Sequence, residues 1–509
     1  MARRQPCKAR WALEFAGLAV CASLLGCGGS TPPLSTPPPP PPTSLTVADV
    51  QSVVQQAAQS VDSPLVIAVT DRLGRVLAVF DKTGAPATAT GNFGATVDAH
   101  ELAVALARTG AFFSNDQAPL SSRTVRFISA THFPAGVAFT PNGALYGIEN
   151  TNRGCPLNVV FLPGQALPPA RSISGASLGL GIITGKTDVN DSDQAAVNPG
   201  GVPLFKNGVV VGGVGVVGPT TAIAEFAAFN GANSAGFIPT SLPSPGVVVI
   251  GGIALPFVNQ TTRPPGSNAG TFTGAYFVAA VASPGFPPSG DLITESAGSM
   301  LTLSDVQTIV QQAVNTANTT RAAIRLPDGS STRMAISVSD LNGNLLALYL
   351  MPDVTIFSAD VAAAKARNVI WFSSGGSVDL PGVPAGTAVT NRTISFGAQP
   401  MYPPGVDGSA AGPFFGLYQF DTANPCTQGS QPANPNQSGV VFFPGAVPLY
   451  KNGVLVGGLG ISGDGVDQDD FVANGGAAGF MAPAGIRADQ VVIRGARLPY
   501  LLFPRNPTL

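Results

Sequence analysis

The chain has 509 residues, of which 45% are hydrophobic and 11% charged, and its formal net charge is −2. That length suggests two or more domains, with apolar content ample for sizeable cores, and the lack of a basic field argues against nucleic acid as a partner. With 61 glycines and 47 prolines, many turns, irregular connections and little long helix are expected.

The front end comes first in chain order. Arg3, Arg4, Lys8 and Arg10 form a basic segment, and Phe15 to Leu25 is an apolar run of signal-peptide length, too short to span a bilayer as a helix. Leu24-Leu25-Gly26-Cys27 then resembles the lipobox of bacterial lipoproteins, in which the cysteine becomes the lipidated first residue. Residues 1–27 are therefore read as a lipoprotein signal with Cys27 as the lipidation site. Residues 28–44, with their Pro37–Pro42 run, are read as an extended tether. This places the folded part on a membrane surface in the cell envelope, with Gly28 after the cysteine pointing to the outer membrane.

The remainder is an ordered repeat. LTVADVQSVVQQAAQ from Leu45 matches LTLSDVQTIVQQAVN from Leu301, and LVIAVTDRLGRVLAVF from Leu65 matches MAISVSDLNGNLLALY from Met334. Four further blocks follow in the same order, giving a first domain at 45–260, a linker at 261–299 and a second domain at 300–509. In each copy a capping threonine (Thr46, Thr302) with Asp49 or Asp305 three residues later opens an amphipathic helix. A hairpin turning at Asp71–Gly74 or Asp340–Gly343 follows, then an Ala-rich helix over 98–114 or 359–373. A long irregular section comes next, then a second hairpin and a short helix.

The second hairpin carries a motif with two readings. Gly213 to Gly218 spells G-x-G-x-x-G, the phosphate-binding turn of dinucleotide sites, and the motif sits in KNGVVVGGVGVVG with a twin, KNGVLVGGLGISG, from Lys451. A dinucleotide site needs those glycines after a parallel strand, with an acidic residue about twenty positions on. Asn207-Gly208 and Asn452-Gly453 instead demand a type I′ turn, so the glycines lie on the second arm of an antiparallel hairpin. Their expected use is close packing of a helix on the strand, or a pocket wall without side chains.

This order of elements resembles the GlcG/HbpS-type haem-binding domain family. The matching residues in the second copy are Ala363, Lys365, Ala366, the run Gly445 to Gly463, and Asp467 to Asp470. The first copy departs from it, with Leu106 for Lys365, Val217 for Ser462 and Glu225 opposite Asp470. The resemblance implies an α+β fold, an antiparallel sheet covered by helices with long irregular insertions. It also implies haem or a similar planar cofactor as ligand. Related domains are commonly oligomeric, so two copies in one chain are expected to imitate a dimer.

Candidate ligand residues are few. The two histidines are His100, at the start of the second helix, and His132. His132 aligns with Met401, followed by Tyr402, and His and Met both ligate haem iron. Phe133, Phe112 and Trp371 join Tyr402 as candidate walls of a flat pocket, or as core. Gly175–Gly179 spells G-x-S-x-G around Ser177 without a strand before it, and Asp188–Asp193 begins like a calcium loop without its later ligands. With no acid–base or nucleophilic constellation in both copies, no catalytic residue is assigned, and a structural or protein-interaction lipoprotein is the alternative to a binding module. Cys155 and Cys426 occupy equivalent places; if the copies pack about a twofold-like axis, a disulfide between them locks the pair.

Overall fold

The computed structural model describes residues 44–151, 198–238, 248–285, 289–375, 378–424 and 426–509. The signal segment and tether, Cys27, Cys155, Ser177 and Asp188–Asp193 lie outside the described residues. Pro42 to Leu509 is one compact unit.

The first copy opens with α1 (Val47–Ser60), whose capping box is complete: Thr46 accepts from the Asp49 N–H and Asp49 accepts from the Thr46 N–H. The turn at Gly74 (φ 76°) joins β1 (Val66–Asp71) to β2 (Val76–Lys82). A small hairpin, β3 (Thr88–Thr90) and β4 (Thr96–Asp98), leads into α2 (Ala99–Phe113), and α3 (Ser122–Ile128) follows in the section expected to be irregular. Then come β5 (Gly201–Lys206), β6 (Val209–Val217), α4 (Thr221–Ser234) and the short hairpin β7 (Val249–Ile250) and β8 (Ile253–Ala254).

The stretch read as a linker supplies an edge strand to each sheet. β9 (Gly274–Val278) pairs with β2, and β10 (Gly290–Ile293) pairs with β12 of the second copy (Leu345–Leu350). The second copy repeats the plan with α5 (Leu303–Thr319), β11 (Met334–Ser339), α6 (Phe357–Ser373), α7 (Asn391–Gly397), α8 (Phe415–Ala423), β13 (Ala446–Lys451), β14 (Val454–Gly463) and α9 (Val466–Gly476). A last short hairpin is β15 (Val492–Ile493) and β16 (Ala496–Arg497). The sheets run β5-β6-β1-β2-β9 and β13-β14-β11-β12-β10, antiparallel throughout, the α+β architecture expected.

Each sheet is sandwiched, which explains why its central strand is buried along its whole length. In β1, Ile67 and Val69 pack with α1 and α4, while Val66 and Ala68 pack with α2. The glycine motif obeys the same period of two. Val214 and Val216 face the α1/α4 layer, whereas a Cβ on Gly213 or Gly215 would lie 2.0 or 1.9 Å from the Ala107 or Ala103 carbonyl oxygen of α2. The Asn-Gly turns have φ of 54° and 79° in the first copy and 52° and 79° in the second, as a type I′ turn requires. The motif is thus a helix-packing strand, not a phosphate loop.

The copies share a core. Phe113 stacks on Phe357 across the junction at 4.3 Å between ring centroids, within a cluster that also joins Ala111, Val125 and Ile148 to Val361, Val441 and Phe443. Tyr146 stacks on Tyr418 at 5.1 Å, and the Tyr418 hydroxyl donates to Glu149 at 2.6 Å.

Candidate functional site

The site begins with a difference between the copies. In the second, Lys365 on α6 is fully buried; its Nζ donates to the Ile461 carbonyl (2.8 Å) and to Asp469 Oδ2 on α9 (2.9 Å), and lies 4.8 Å from the Phe443 ring centroid. Burial penalises both charges: it pushes the Lys365 ammonium down and the Asp469 carboxyl up to about 7, against the pull of each on the other. Next to them, Arg392 grips Asp470 and Asp467. Asp469 and Asp470 are thus buried ion-pair partners.

The first copy keeps one pair and loses the other. Arg123 grips Glu225 through two bonds of 2.6 and 3.0 Å, as Arg392 grips Asp470. Where Lys365, Asp469, Ser462 and Phe443 would stand, however, it has Leu106, Ala224, Val217 and Asn198. All four line an open cavity of about 440 Å³, bordered also by Leu102, Gly200, β3 and Pro64. Lys365 and Asp469 give way to the shorter apolar Leu106 and Ala224, and Phe443 to the smaller Asn198, and the cavity lies between α2, β6 and the start of α4. Its walls are mainly apolar, and its size is that of a small-ligand site.

Two other cavities differ in chemistry. One, of about 450 Å³, lies in the second copy between Trp371 and a segment rich in amide side chains. The other, about 320 Å³, lies between the copies and is lined by Arg72, Asp116 and Asp353. There the Asp116 N–H donates to the Asp353 carboxylate, and Arg325 bridges Asp353 (2.6 Å) and Asp464. Burial, and then the Asp353 charge, push the Asp116 carboxyl up to about 6.

The sequence-derived candidates are placed elsewhere. His100 has its Nε2 at 2.9 Å from Asp81 and its Nδ1 at 3.2 Å from Asp98, and its ring stacks on Phe277 of β9 at 4.2 Å. His132, nearly buried, has Nε2 at 2.7 Å from Asp407 Oδ1 of the other copy. Its hydrogen bond, with that of the Phe139 N–H, holds the Asp407 carboxyl below the usual range. Met401 is half-buried in a bend, and Tyr402 packs edge-on against Phe396 while its hydroxyl donates to the Ile493 carbonyl at 3.2 Å. Phe133 packs edge-on against Phe127 and Phe112 is core, so these aromatics do not form one flat pocket. None of His100, His132, Met401 and Tyr402 lines the three cavities. Cys426 is disulfide-bonded, and the cysteine expected to be its partner lies outside the described residues.

The first-copy cavity was only half legible in the sequence. Leu106 and Val217 stand out as departures from the second copy, but the paired loss of Lys365 and Asp469 was the signal that a buried interaction had been removed as a unit.

Residues 301–478 match the family model described as haem degrading protein HbpS-like. Over 154 residues the chain is 29% identical to the corrinoid adenosyltransferase PduO of Citrobacter freundii and 27% identical to that of Salmonella typhimurium, a stretch covering 30% of this chain and 34% of each relative. The chain thus spans about a third of the length of these curated relatives. Among solved structures it is similar to a PduOC–haem complex (23% identity, 36% of this chain, 95% of that one, TM-score 0.24). It is also similar to the Klebsiella pneumoniae protein ORFY (20% identity, 37% of this chain, 97% of that one, TM-score 0.24).

Proposed function

We propose, from the match of residues 301–478 to the HbpS-like family model, that this chain is a lipid-anchored binding module of the cell envelope whose two related copies act as one pseudo-dimeric body. The ligand is a flat, largely apolar molecule of the porphyrin class, taken by the first copy. The observation that carries this reading is the exchange of Lys365, Asp469 and Ser462 for Leu106, Ala224 and Val217 around a 440 Å³ cavity. The lipid anchor rests on the basic segment, apolar run and Cys27 of the leader.

Among the described residues lining that cavity there is no histidine, methionine, cysteine or tyrosine, and no cation to pair with propionates. The nearly buried His132 is committed to Asp407, and His100 to Asp81 and Asp98. These residues do not fit an axially ligated iron. Affinity in this cavity comes instead from removing apolar surface from water, about 25 cal/mol per Å².

Titration of the full-length protein with haemin and with iron-free protoporphyrin, side by side, tests the reading. Both are expected to saturate at one per chain with similar affinity. Ala89→Phe, which fills the cavity from the peripheral β3–β4 hairpin, should abolish both, and His132→Ala neither. Binding of haemin alone, lost in His132→Ala, would move the ligand to the inter-copy loops. Absence of saturable binding by either would leave a structural or protein-interaction lipoprotein.

A further inference from the structure

The amide-rich cavity of the second copy is a separate feature from the site proposed above. Its floor is α6, through Arg367 and Trp371. One rim is the β11–β12 turn at Asn342, and the other is the segment carrying Gln428, Gln431 and Asn436. We propose that this cavity binds a neutral sugar ring, which lays its C–H face on the Trp371 indole and hydrogen-bonds its hydroxyls to the surrounding amides.

Three observations carry this. The first is the chemistry of the walls. No described lining residue is acidic, and the cation among them, Arg367, serves as a brace: its Nε donates to the Gly343 carbonyl (2.9 Å) and its Nη1 to Ser438 Oγ (3.3 Å). Side-chain amides offer both donors and acceptors, which matches hydroxyls, each of which also does both. An anion or a cation would gain less here than a polyol.

The second is an orphaned group. Gln431 Oε1 is buried and has no hydrogen-bond partner. Gln431 lines the cavity, so a side-chain rotation that turns this oxygen toward the cavity lets a ligand hydroxyl supply the missing donor.

The third is preorganisation. Asn436 Nδ2 donates to the Asn342 carbonyl (2.9 Å) and to Asn344 Oδ1 (3.0 Å), tying one rim to the other. Gln428 is fixed between Asn368 and the Arg367 carbonyl. The Trp371 indole N–H donates to Asp379 Oδ2 at 3.3 Å, so the half-buried ring offers the cavity its carbon surface rather than its donor. A flat aromatic surface beside fixed amides suits a molecule with apolar C–H faces and an equatorial belt of hydroxyls.

The protein carries its own reporter. Trp11 and Trp371 are the two tryptophans of the chain, so in full-length Trp11→Phe protein all tryptophan emission comes from the cavity. Glucose, galactose, N-acetylglucosamine, cellobiose and lactose would be titrated against this variant, with sodium phosphate and glucose 6-phosphate as anionic probes. Each mixture would also be read by saturation-transfer NMR, so that binding silent in fluorescence is still seen.

At least one neutral sugar is expected to shift the emission saturably, and Gln431→Ala to weaken it about tenfold, the loss of roughly one hydrogen bond. Because Gln431 Oε1 bonds nothing within the protein, the thermal midpoint of that variant should not fall. Trp371→Leu should abolish the NMR transfer. No saturable response to any neutral sugar, equal affinity in Gln431→Ala, or saturation by phosphate alone would each overturn the proposal. The porphyrin titration is independent of all of these outcomes.

Discussion

At the scale of single residues, the informative comparison is between Lys365 with Asp469 and the Leu106 with Ala224 that replace them. A buried ion pair costs desolvation of both charges, and removing one partner leaves the other uncompensated. Lys365→Leu is therefore expected to destabilise by about 3–5 kcal/mol, since it strands a fully buried Asp469. The double variant Lys365→Leu with Asp469→Ala recreates the combination the first copy already tolerates, and most of that loss should be recovered. Urea unfolding midpoints of the wild type, both single variants and the double variant measure this. Equal destabilisation of single and double variants would mean that the pair contributes packing rather than charge compensation. The sequence displayed these four residues, but not their proximity: Lys365 and Asp469 are 104 positions apart, and burial decides their energetics.

Among the elements, the glycine-rich strand shows how one spelling serves two structures. Gly460 sits under α6, where an added Cβ would lie 2.1 Å from the Ala362 carbonyl oxygen and 2.6 Å from the Ala366 nitrogen, both backbone atoms that cannot yield locally. Gly453, at the hairpin tip, has open space but φ of +79°. Gly460→Ala should cost about 3 kcal/mol through displacement of helix from sheet, and Gly453→Ala about 1 kcal/mol from backbone strain alone. Chemical denaturation of the two variants separates the effects, and equal costs would refute the close-packing account. Much of the secondary structure was legible because local signals agreed. Capping boxes marked α1 and α5, Asn-Gly marked the hairpins, and the Ala-rich helices lie at 99–113 and 357–373 against the expected 98–114 and 359–373. The edge strands β9 and β10 were not legible, because an edge strand is defined by the partner it reaches and not by its own pattern.

For the molecule as a whole, the junction between copies holds a group whose titration lowers stability as the pH rises. Asp116 meets Asp353, with Arg72 and Arg325 nearby, and Asp116 Oδ1 accepts from the Val210 N–H at 2.8 Å. Its folded carboxyl, pushed up to about 6, holds a proton more tightly than the unfolded chain does. Its contribution is thus fully present below about pH 4 and is lost as the pH rises through about 6. Asp116→Asn should flatten the stability profile between those values, as read from thermal midpoints at several pH values. An unchanged slope would place the titration elsewhere.

The sequence by itself determined the repeat, the helix starts and the hairpin turns, because these follow from short-range patterns of capping, turn chemistry and apolar period, and the family resemblance of the second copy implied the α+β class. It also displayed each departure of the first copy from the second. Only the tertiary structure decided what those departures do: that Leu106, Ala224 and Val217 converge on one cavity, that His132 faces Asp407, and that Trp371 borders amides rather than an apolar slot. The reason is physical. A cavity or a buried pair is a property of surfaces brought together across a hundred or more residues, and its energy depends on exclusion of water, which no local pattern records.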